Sequence, residues 1–288
     1  MTLKFYKYQG AGNDFLIADN RDGSISLSTE QIAALCDRRY GVGADGLMLL
    51  ESPDCGQAEA YGPVGFRMVY YNSDGSGGMM CGNGGRCIVA FAADMGIVNL
   101  NFIATDGYHH AEIIASDGNE KTVRLRMTDV RMFERHESLN GVNCPSDGYF
   151  LDTGTRHYVR LVKDVESYDI VAEGREIRYN AMELLPVGAN VNYVEPSEGL
   201  LKVRTYEKGV EDETFACGTG IVASCIAAYK AGVVPSFQTD DTVTYDVKAK
   251  RDRLSVSFKP VEHALGVAES VYLTGPATFV AEIMVSAQ

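Results

Sequence analysis

Two cysteines stand at the start of similar glycine-rich segments, and their sulfurs are the strongest candidates for chemistry in this sequence. The segment from Cys81 reads CGNGGRCIVAFAADMG, and the segment from Cys217 reads CGTGIVASCIAAYKAG. Aligned without a gap, both give Cys-Gly-X-Gly followed by small and apolar residues, a pattern typical of a buried helix. A thiol acts as a base or nucleophile only as the thiolate. The repeat therefore predicts two thiols, each at the N-terminus of a central helix.

A helix N-terminus favours both the thiolate and the binding of an anion. The helix dipole contributes up to ~2 kcal/mol in a partly buried geometry, equivalent to about 1.5 pK units. The glycines after each cysteine allow a tight turn and let backbone N–H groups approach a ligand closely. Those N–H groups have no partner within the helix, so they can bind a carboxylate. We expect each segment to supply one thiol beside one carboxylate cradle.

Two such thiols on opposite sides of one ligand would invert a carbon stereocentre. One thiolate removes the α-proton from one face, and the opposite thiol donates a proton to the other face. Backbone donors from both helices would stabilise the charge that develops on the carboxylate. The pair would share one proton, since two nearby thiolates repel each other. This chemistry needs neither a cofactor nor a metal in principle, and the sequence carries no P-loop or dinucleotide-binding motif.

Other interpretations of the cysteines remain open. Cys81 and Cys217 could form a structural or redox disulfide. A zinc site is disfavoured, because Cys81 and Cys87 lack the C-x₂₋₄-C spacing and no histidine pair stands nearby. The run SDGSGGMMCGNGG could bind a nucleotide, but it lacks the Lys-Ser/Thr ending of a phosphate loop. We expect Cys36, Cys87 and Cys225 to be buried packing residues.

The elements that position these thiols are mainly short strands. Runs rich in Val, Ile, Tyr, Phe or Thr, bounded by turn-forming residues, predict strands at 3–8, 15–18, 66–71, 122–127, 158–162, 201–206, 242–247 and 254–258. Helices are predicted at 29–38, 85–95, 180–185 and 220–231. Many strands and few helices predict an α+β fold with mixed or antiparallel sheets rather than a doubly wound parallel sheet. The repeat predicts two pseudo-equivalent domains, each with β-structure around one helix.

Charge and cysteine content restrict the partners and the compartment. The chain has 288 residues, of which 26 are basic and 39 acidic, and its formal net charge is -13. Because binding phosphates requires clustered Lys and Arg, nucleic acid and anionic membrane surfaces are disfavoured. Seven cysteines is an odd number for a disulfide framework. With no apolar run of ~18 residues and no signal-peptide pattern, we expect a soluble cytoplasmic protein.

Nearly the whole chain resembles the diaminopimelate epimerases, cofactor-independent amino-acid epimerases of lysine and peptidoglycan synthesis. The resemblance lies in the segments GAGNDF, GVGADG, YYNSDGS, MCGNGGRC, TGTRHYV, GANVNYVE, TYEKGVEDET and ACGTG. It implies two pseudo-symmetric α+β domains, each a mostly antiparallel or mixed sheet around a central helix, with the active site in the cleft between them. The implied domains are residues 1–128 with a C-terminal return at 274–288, and residues 129–273. Proline racemases and hydroxyproline epimerases share the two-thiol plan, but their surrounding motifs differ.

Matched position by position, the resemblance implies roles for individual residues. Cys81 and Cys217 correspond to the acid/base thiols, and Glu207 and His157 to polar neighbours that position the substrate and tune protonation. The amide cradle for the reacting carboxylate corresponds to Gly82, Asn83, Gly218 and Thr219. Asn13 corresponds to a residue near the reacting amino-acid group, and Asn72 and Asn190 to residues that hold the distal end. By type alone, Asn13 and Asn72 could be turn formers, His157 a structural histidine and Glu207 a solvated charge.

Two positions depart from the family pattern at the end that would hold the distal part of the substrate. Thr155 stands where an asparagine is common, and Lys208 stands where an arginine is common. An arginine can bind a carboxylate through two parallel hydrogen bonds, whereas lysine offers a point charge. We count both residues as substrate-binding and expect looser recognition there.

The function expected from the resemblance is reversible epimerisation of LL-2,6-diaminopimelate to meso-diaminopimelate, by a soluble isomerase that needs no cofactor. A racemase or epimerase of the proline type is one alternative. A dithiol redox protein and a non-catalytic amino-acid-binding module are two others. A homodimer is the ordinary arrangement for such an enzyme, and we expect it here.

Overall fold

The computed structural model describes residues 2–53, 63–78, 80–263 and 266–286. The chain forms two compact units, Met1–Arg126 with Gly275–Gln288 and Met127–Thr274. Within these described ranges, each unit combines many strands with one long buried helix and one further α-helix. The α+β class predicted from the sequence is confirmed.

In its described residues, the first unit is a mixed sheet with two helices. Its strands are β1 (Thr2–Gly10), β2 (Asn13–Asp19), β3 (Gly46–Glu51), β4 (Phe66–Asn72), β5 (Phe102–Ala104), β6 (Gly107–His109), β7 (Ala111–Asp117) and β8 (Glu120–Arg126). Its helices are α1 (Thr29–Cys36) and α2 (Gly82–Asp94). β1 pairs antiparallel with β2, and β2 pairs parallel with β3. Asn13, the first residue of β2, therefore lies at a tight β1–β2 hairpin.

The second unit has the same composition of elements. Its strands are β9 (Met132–His136), β10 (Gly148–Asp152), β11 (Arg156–Leu161), β12 (Asn190–Ser197), β13 (Leu200–Glu207), β14 (Asp212–Thr214), β15 (Phe237–Gln238), β16 (Val243–Lys248) and β17 (Arg253–His263). Its helices are α3 (Ile170–Asn180) and α4 (Gly218–Lys230). β10 pairs antiparallel with β11, and β11 pairs parallel with β12. The antiparallel-then-parallel order of β1, β2 and β3 thus recurs in β10, β11 and β12.

The last strand, β18 (Gly266–Ser286), runs through both units. Its first part pairs with β17, and its last part pairs with β8 and β1. Residues at the end of the sequence therefore complete the sheet of the first unit.

The helices that carry the two cysteine motifs are buried, as the sequence predicted. Every α2 residue from Gly82 to Ala92 is buried, and α4 is buried at Gly218 and from Gly220 to Ala228. α2 packs on β1, β2, β3 and β8, and α4 packs on β10 to β13 and β17. Small side chains let each helix lie against strands on several sides. Cys36, Cys87 and Cys225 are buried in these interiors, as expected for packing residues.

The helix predicted at 180–185 is wrong, since that segment is a series of turns and α3 ends at Asn180. Asp169 begins α3 by accepting a hydrogen bond from the Ala172 N–H through its side chain. Gly174 in mid-helix weakened the sequence signal. A Cβ there would lie 2.5 Å from the Tyr206 Cβ, so close packing requires the glycine. Among the described residues, no helix is long and apolar enough to cross a membrane.

Candidate active site

Cys81 and Cys217 occupy the same place in their helices, immediately before the first turn. Both have extended backbone angles, φ -111° and ψ 127° for Cys81 and φ -101° and ψ 110° for Cys217. The first helical hydrogen bonds are donated by Gly85 N–H to the Cys81 carbonyl at 2.7 Å and by Ile221 N–H to the Cys217 carbonyl at 2.8 Å. The helices therefore start at Gly82 and Gly218, slightly before the predicted segments.

The first N–H groups of each helix lie next to the cysteine that precedes it. Gly82 and Asn83 supply them after Cys81, and Gly218 and Thr219 supply them after Cys217. The N–H groups of a first turn have no acceptor within the helix, and the helix dipole adds partial positive charge there. Cys81 is half-buried and Cys217 is 8% exposed. Each thiol thus lies beside donors that suit a carboxylate.

Beside Cys81, a chain of hydrogen bonds starts from a buried arginine. Arg86 is fully buried, and its Nη2 donates to Asn83 Oδ1 at 2.9 Å. Asn83 Nδ2 donates to Asn13 Oδ1 at 2.6 Å, and Asn13 Nδ2 donates to Asp45 Oδ2 at 2.9 Å. The structure therefore brings Asn13 and Asn83 together and fixes the orientation of both amides.

The outer end of this chain is a cluster of charges. Arg38 Nη2 donates to Asp14 Oδ1 and to Asp45 Oδ1, both at 2.6 Å. Lys7 Nζ lies 2.8 Å from Asp14 Oδ2. Burial of Asp14 disfavours its charge, but hydrogen bonds from Arg38 and Lys7 outweigh burial and hold its pKa below the usual range. The motifs GAGNDF and GVGADG meet through these contacts.

Beside Cys217, the polar neighbours are hydroxyls and a histidine. Cys217 Sγ lies 3.5 Å from Thr219 Oγ1, and Thr219 Oγ1 lies 3.0 Å from His157 Nε2. Thr155 Oγ1 lies 2.9 Å from His157 Nε2 and 3.1 Å from Thr219 Oγ1. His157 is fully buried, and burial lowers its pKa to about 3. The ring is therefore neutral at physiological pH.

Asn192 closes this group from the inner side. Its Nδ2 lies 3.1 Å from His157 Nδ1. Gly220 makes the approach possible, because a Cβ there would lie 2.4 Å from Asn192 Oδ1 and 3.2 Å from His157 Cε1. The second glycine of ACGTG is therefore required by the side chains that surround the helix start.

The residues expected at the distal end fall into two groups. Asn190 is buried, its Nδ2 donates to the Arg156 carbonyl at 3.0 Å, and its Oδ1 accepts from Lys208 N–H at 2.8 Å. Asn190 thus holds the turn that presents the exposed Lys208 side chain. Asn72 belongs to the first unit, and its Nδ2 donates to Ser76 Oγ at 3.0 Å.

Glu207 is the last residue of β13 and is half-buried. Its Oε2 accepts a hydrogen bond from Thr214 Oγ1 at 2.7 Å. That contact orients the carboxylate between β13 and β14. Glu207 lies in the same unit as Cys217 and His157.

Sequence reasoning missed several polar residues of these networks, among them Asp45, Arg86 and Asn192. Arg86 gave a detectable signal, since a lone arginine stands in an otherwise small and apolar buried helix. Asn192 did too, because it follows Asn190 at the two-residue period of one strand face. No group of three or more His, Cys, Asp or Glu among the described residues could hold a metal ion.

Comparison with known proteins gives one family. The family model described as diaminopimelate epimerase matches residues 5–138 and 149–280. A diaminopimelate epimerase of Flavobacterium psychrophilum is 40% identical over 284 residues, covering 97% of this chain and 99% of the relative. A diaminopimelate epimerase of Chlorobaculum tepidum is 40% identical over 273 residues, covering 93% of this chain and 95% of the relative.

Solved structures share the fold at low sequence identity. A phenazine biosynthesis protein of the PhzF family from Bacillus anthracis matches with a TM-score of 0.72 and 16% identity, covering 100% of both chains. A hydroxyproline epimerase from Agrobacterium vitis, with bound trans-4-hydroxy-L-proline, matches with a TM-score of 0.62 and 14% identity, covering 99% of this chain and 92% of that one. At these identities the matches establish the architecture alone.

Proposed function

The chain belongs to the diaminopimelate epimerase family, and we propose that it interconverts LL-2,6-diaminopimelate and meso-diaminopimelate by transferring protons at one α-carbon. It is an isomerase of the epimerase type. The observation that carries the proposal is the equivalence of the two thiols: each immediately precedes a buried helix whose first N–H groups can bind a carboxylate.

In the proposed reaction, one cysteine acts as thiolate and the other as thiol. The thiolate takes the α-proton, and the thiol delivers its proton to the opposite face of the carbon. The N–H groups of Gly82, Asn83, Gly218 and Thr219 bind the α-carboxylate and stabilise the charge that grows on it. The reverse reaction exchanges the two roles, so each sulfur must serve as both acid and base.

The surrounding residues have supporting roles in this proposal. The side-chain amide of Asn13 donates one N–H to Asp45 and accepts a hydrogen bond from Asn83 at its Oδ1. Its second N–H can donate to the reacting amino acid. Asn72, Asn190, Thr155 and Lys208 are proposed around the distal end. Asn190 acts there by holding the turn of Lys208. Glu207 and His157 are proposed to set the protonation and orientation of their neighbours.

The setting of the enzyme is part of the same proposal. Both sulfurs must be reduced to act, which agrees with the cytoplasmic location inferred from the odd number of cysteines. The product class places the enzyme in lysine biosynthesis, with a small amino acid as its partner rather than nucleic acid or membrane. We also propose the homodimer expected from the sequence, and the two-base reaction itself requires no cofactor.

The test is exchange of the substrate α-proton in D₂O with reduced protein and LL-diaminopimelate. We expect loss of the α-proton NMR signal together with formation of the meso isomer. Cys81→Ala and Cys217→Ala should each lower the rate by about 10²–10⁴-fold, the contribution of a positioned acid or base. Cys225→Ala is the matched control, because it removes a buried thiol from α4 outside the proposed site.

Two outcomes would overturn the proposal. One is a near-normal rate in either Cys81→Ala or Cys217→Ala. The other is reduced wild-type protein that exchanges no α-proton yet catalyses thiol–disulfide exchange, as a dithiol redox protein would. Substituting L-proline for diaminopimelate in the same assay distinguishes the proline-type alternative.

A further inference from the structure

The buried His157 ring contacts a different kind of group at each nitrogen. Nδ1 lies 3.1 Å from Asn192 Nδ2, and Nε2 faces the hydroxyls of Thr155 and Thr219 at 2.9 and 3.0 Å. The ring and Asn192 are both fully buried. A neutral imidazole has one N–H donor and one acceptor nitrogen, and its neighbours decide which is which.

A backbone carbonyl determines the orientation of the Asn192 amide. Asn192 Nδ2 lies 3.3 Å from the Tyr158 carbonyl oxygen, which can only accept a hydrogen bond. The amide atom on that side must therefore be nitrogen. The other atom, Oδ1, accepts from Thr205 Oγ1 at 2.9 Å. The same NH₂ group that faces Tyr158 also faces His157 Nδ1, so it donates to that nitrogen.

This orientation fixes the tautomer of the histidine. Because Nδ1 accepts from Asn192, its lone pair is occupied and the proton of the neutral ring lies on Nε2. Nε2–H then donates toward the Thr219 and Thr155 hydroxyls. Thr219 in turn has its own hydroxyl hydrogen to donate to Cys217 Sγ, 3.5 Å away.

We propose that Asn192 is a positioning residue that holds His157 as a neutral Nε2–H donor, so that a directed chain of hydrogen bonds runs from Asn192 through His157 and Thr219 to the Cys217 sulfur. Hydrogen bonds that point toward a sulfur stabilise its thiolate form. His157 keeps its proton throughout. Cys217 exchanges its proton only with the substrate carbon, and the histidine does not act as its base. This assignment rests on the proposed acid/base function of Cys217.

The charged groups near this chain leave the assignment intact. Cys217 immediately precedes α4. Burial lowers the pKa of His157 to about 3. Glu207 on β13 is bound to Thr214, and Asp152 on β10 accepts from Gly154 N–H at 3.0 Å. The ring nitrogens of His157 themselves face Asn192 and the threonine hydroxyls.

The direct test is ¹⁵N NMR of the wild-type protein with labelled histidine, which distinguishes protonated from unprotonated ring nitrogens. Only five histidines contribute signals, and a His157→Gln spectrum identifies the one of interest. We expect His157 to show a protonated Nε2 and an unprotonated Nδ1, unchanged from about pH 5 to about pH 8, where an unperturbed imidazole changes its charge. A protonated Nδ1, or titration within this interval, would overturn the assignment.

Two variants test whether Asn192 is the cause. Asn192→Asp replaces the donor with a group that accepts, so Nδ1 should become protonated, and kcat should fall about 10–100-fold, as when an orienting partner of a reactive group is lost. Thr205→Val is the matched control: it removes the hydroxyl on Oδ1 but keeps the contact with the Tyr158 carbonyl, so the Nε2–H tautomer should remain. An unchanged tautomer in Asn192→Asp would refute the role of Asn192.

The NMR result is independent of the epimerase assay. If the protein fails to epimerise diaminopimelate but His157 shows the expected tautomer, the proposed function fails and the assignment stands. If the protein is an active epimerase but His157 titrates, only the assignment fails. Should Asn192→Asp not fold, the wild-type spectrum still decides.

Discussion

At the start of α2 the fully buried Arg86 follows Cys81, whereas the aligned position after Cys217 in α4 is the fully buried, apolar Val222. Arg86 donates to Asn83 Oδ1, to the Gly82 carbonyl at 3.3 Å and to the Pro276 carbonyl at 3.3 Å. Two helix starts with the same backbone geometry therefore have different electrostatic surroundings.

The difference shows what the repeat has kept and what it has varied. The cysteine position, the glycines of Cys-Gly-X-Gly and the backbone geometry of the helix start are the same in both units. The side-chain networks at the two helix starts differ: the network after Cys81 runs from a cation through amides to a carboxylate, and the network after Cys217 contains a neutral imidazole and hydroxyls. We expect the Cys81 half to respond to charge changes and the Cys217 half to respond to hydrogen-bond direction.

The largest effect on stability is expected from Arg86→Met, which removes the buried cation at similar length. Three acceptors, Asn83 Oδ1 and the carbonyls of Gly82 and Pro276, lose their hydrogen bond from the guanidinium, and a buried acceptor that is left unsatisfied costs about 1–3 kcal/mol. We expect the free energy of unfolding in urea to fall by about 3–5 kcal/mol, the scale for removing one partner of a buried charge network.

Val222→Ala is the matched substitution in the other half. It removes only buried apolar volume, so we expect a loss of about 2 kcal/mol in the free energy of unfolding. If Arg86→Met lowers the free energy of unfolding no more than Val222→Ala does, the buried arginine stabilises the protein only by packing. The electrostatic difference between the two helix starts would then not contribute to stability.

A smaller effect is expected on the reactivity of the first thiol. Arg86 hydrogen-bonds to the carbonyl of Gly82, next to Cys81, so its charge lies at the helix start. Burial raises the pKa of the neighbouring Cys87, and the Arg86 charge acts in the opposite direction. In Arg86→Met we expect the rate of Cys81 alkylation by iodoacetamide at neutral pH to fall about tenfold, equivalent to one pK unit.

Cys217 in the same sample is the internal reference, since mass spectrometry reports both sites separately. Its alkylation rate should not change in Arg86→Met, and Arg86→Lys, which keeps the positive charge, should restore much of the Cys81 rate. Equal changes at both cysteines would mean that the variant merely loosens the protein. An unchanged Cys81 alkylation rate would contradict the prediction that the Arg86 charge makes Cys81 more reactive.

The sequence was sufficient for features that depend on local pattern. Cys-Gly-X-Gly followed by small residues predicted two buried helices beginning at the cysteines, and both are present at Gly82 and Gly218. Runs rich in β-branched and aromatic residues, such as those of β1 and β13, predicted strands for the same reason. Neither pattern requires knowledge of distant contacts.

Features that depend on tertiary contacts could not be predicted. α3 was missed because Gly174 weakens helix propensity. The glycine is explained only by the Tyr206 side chain, which packs against it in the folded protein. The role of Asn192 depends on a contact with His157 across the parallel β11–β12 pair, which the spacing of the two residues along the chain does not reveal. Arg86 was visible in the sequence as a lone arginine in an apolar helix, but its acceptors were not, because they include Pro276, which reaches it through the return of β18.

The smallest predicted effect is at Arg38, where the charged half meets solvent. Its side chain is 58% exposed, so Arg38→Gln should lower the free energy of unfolding by only about 0.5–1 kcal/mol near neutral pH. The pKa of Asp14 is held below its ordinary value in the folded protein, with burial opposing and Arg38 and Lys7 favouring the charged form. The stabilisation is therefore complete above the unfolded pKa of about 3.9 and is lost as the pH falls through the lower folded value.

Urea unfolding of wild type and Arg38→Gln across this acid range should show that the difference in their free energies of unfolding shrinks toward zero. About 1 M salt should reduce this difference at neutral pH as well. The Thr205→Val difference in the neutral half should stay constant with pH and salt. A pH-independent Arg38→Gln difference would mean that the guanidinium stabilises the fold by packing. Arg86 would then be the only tested residue of the Cys81 network whose charge contributes.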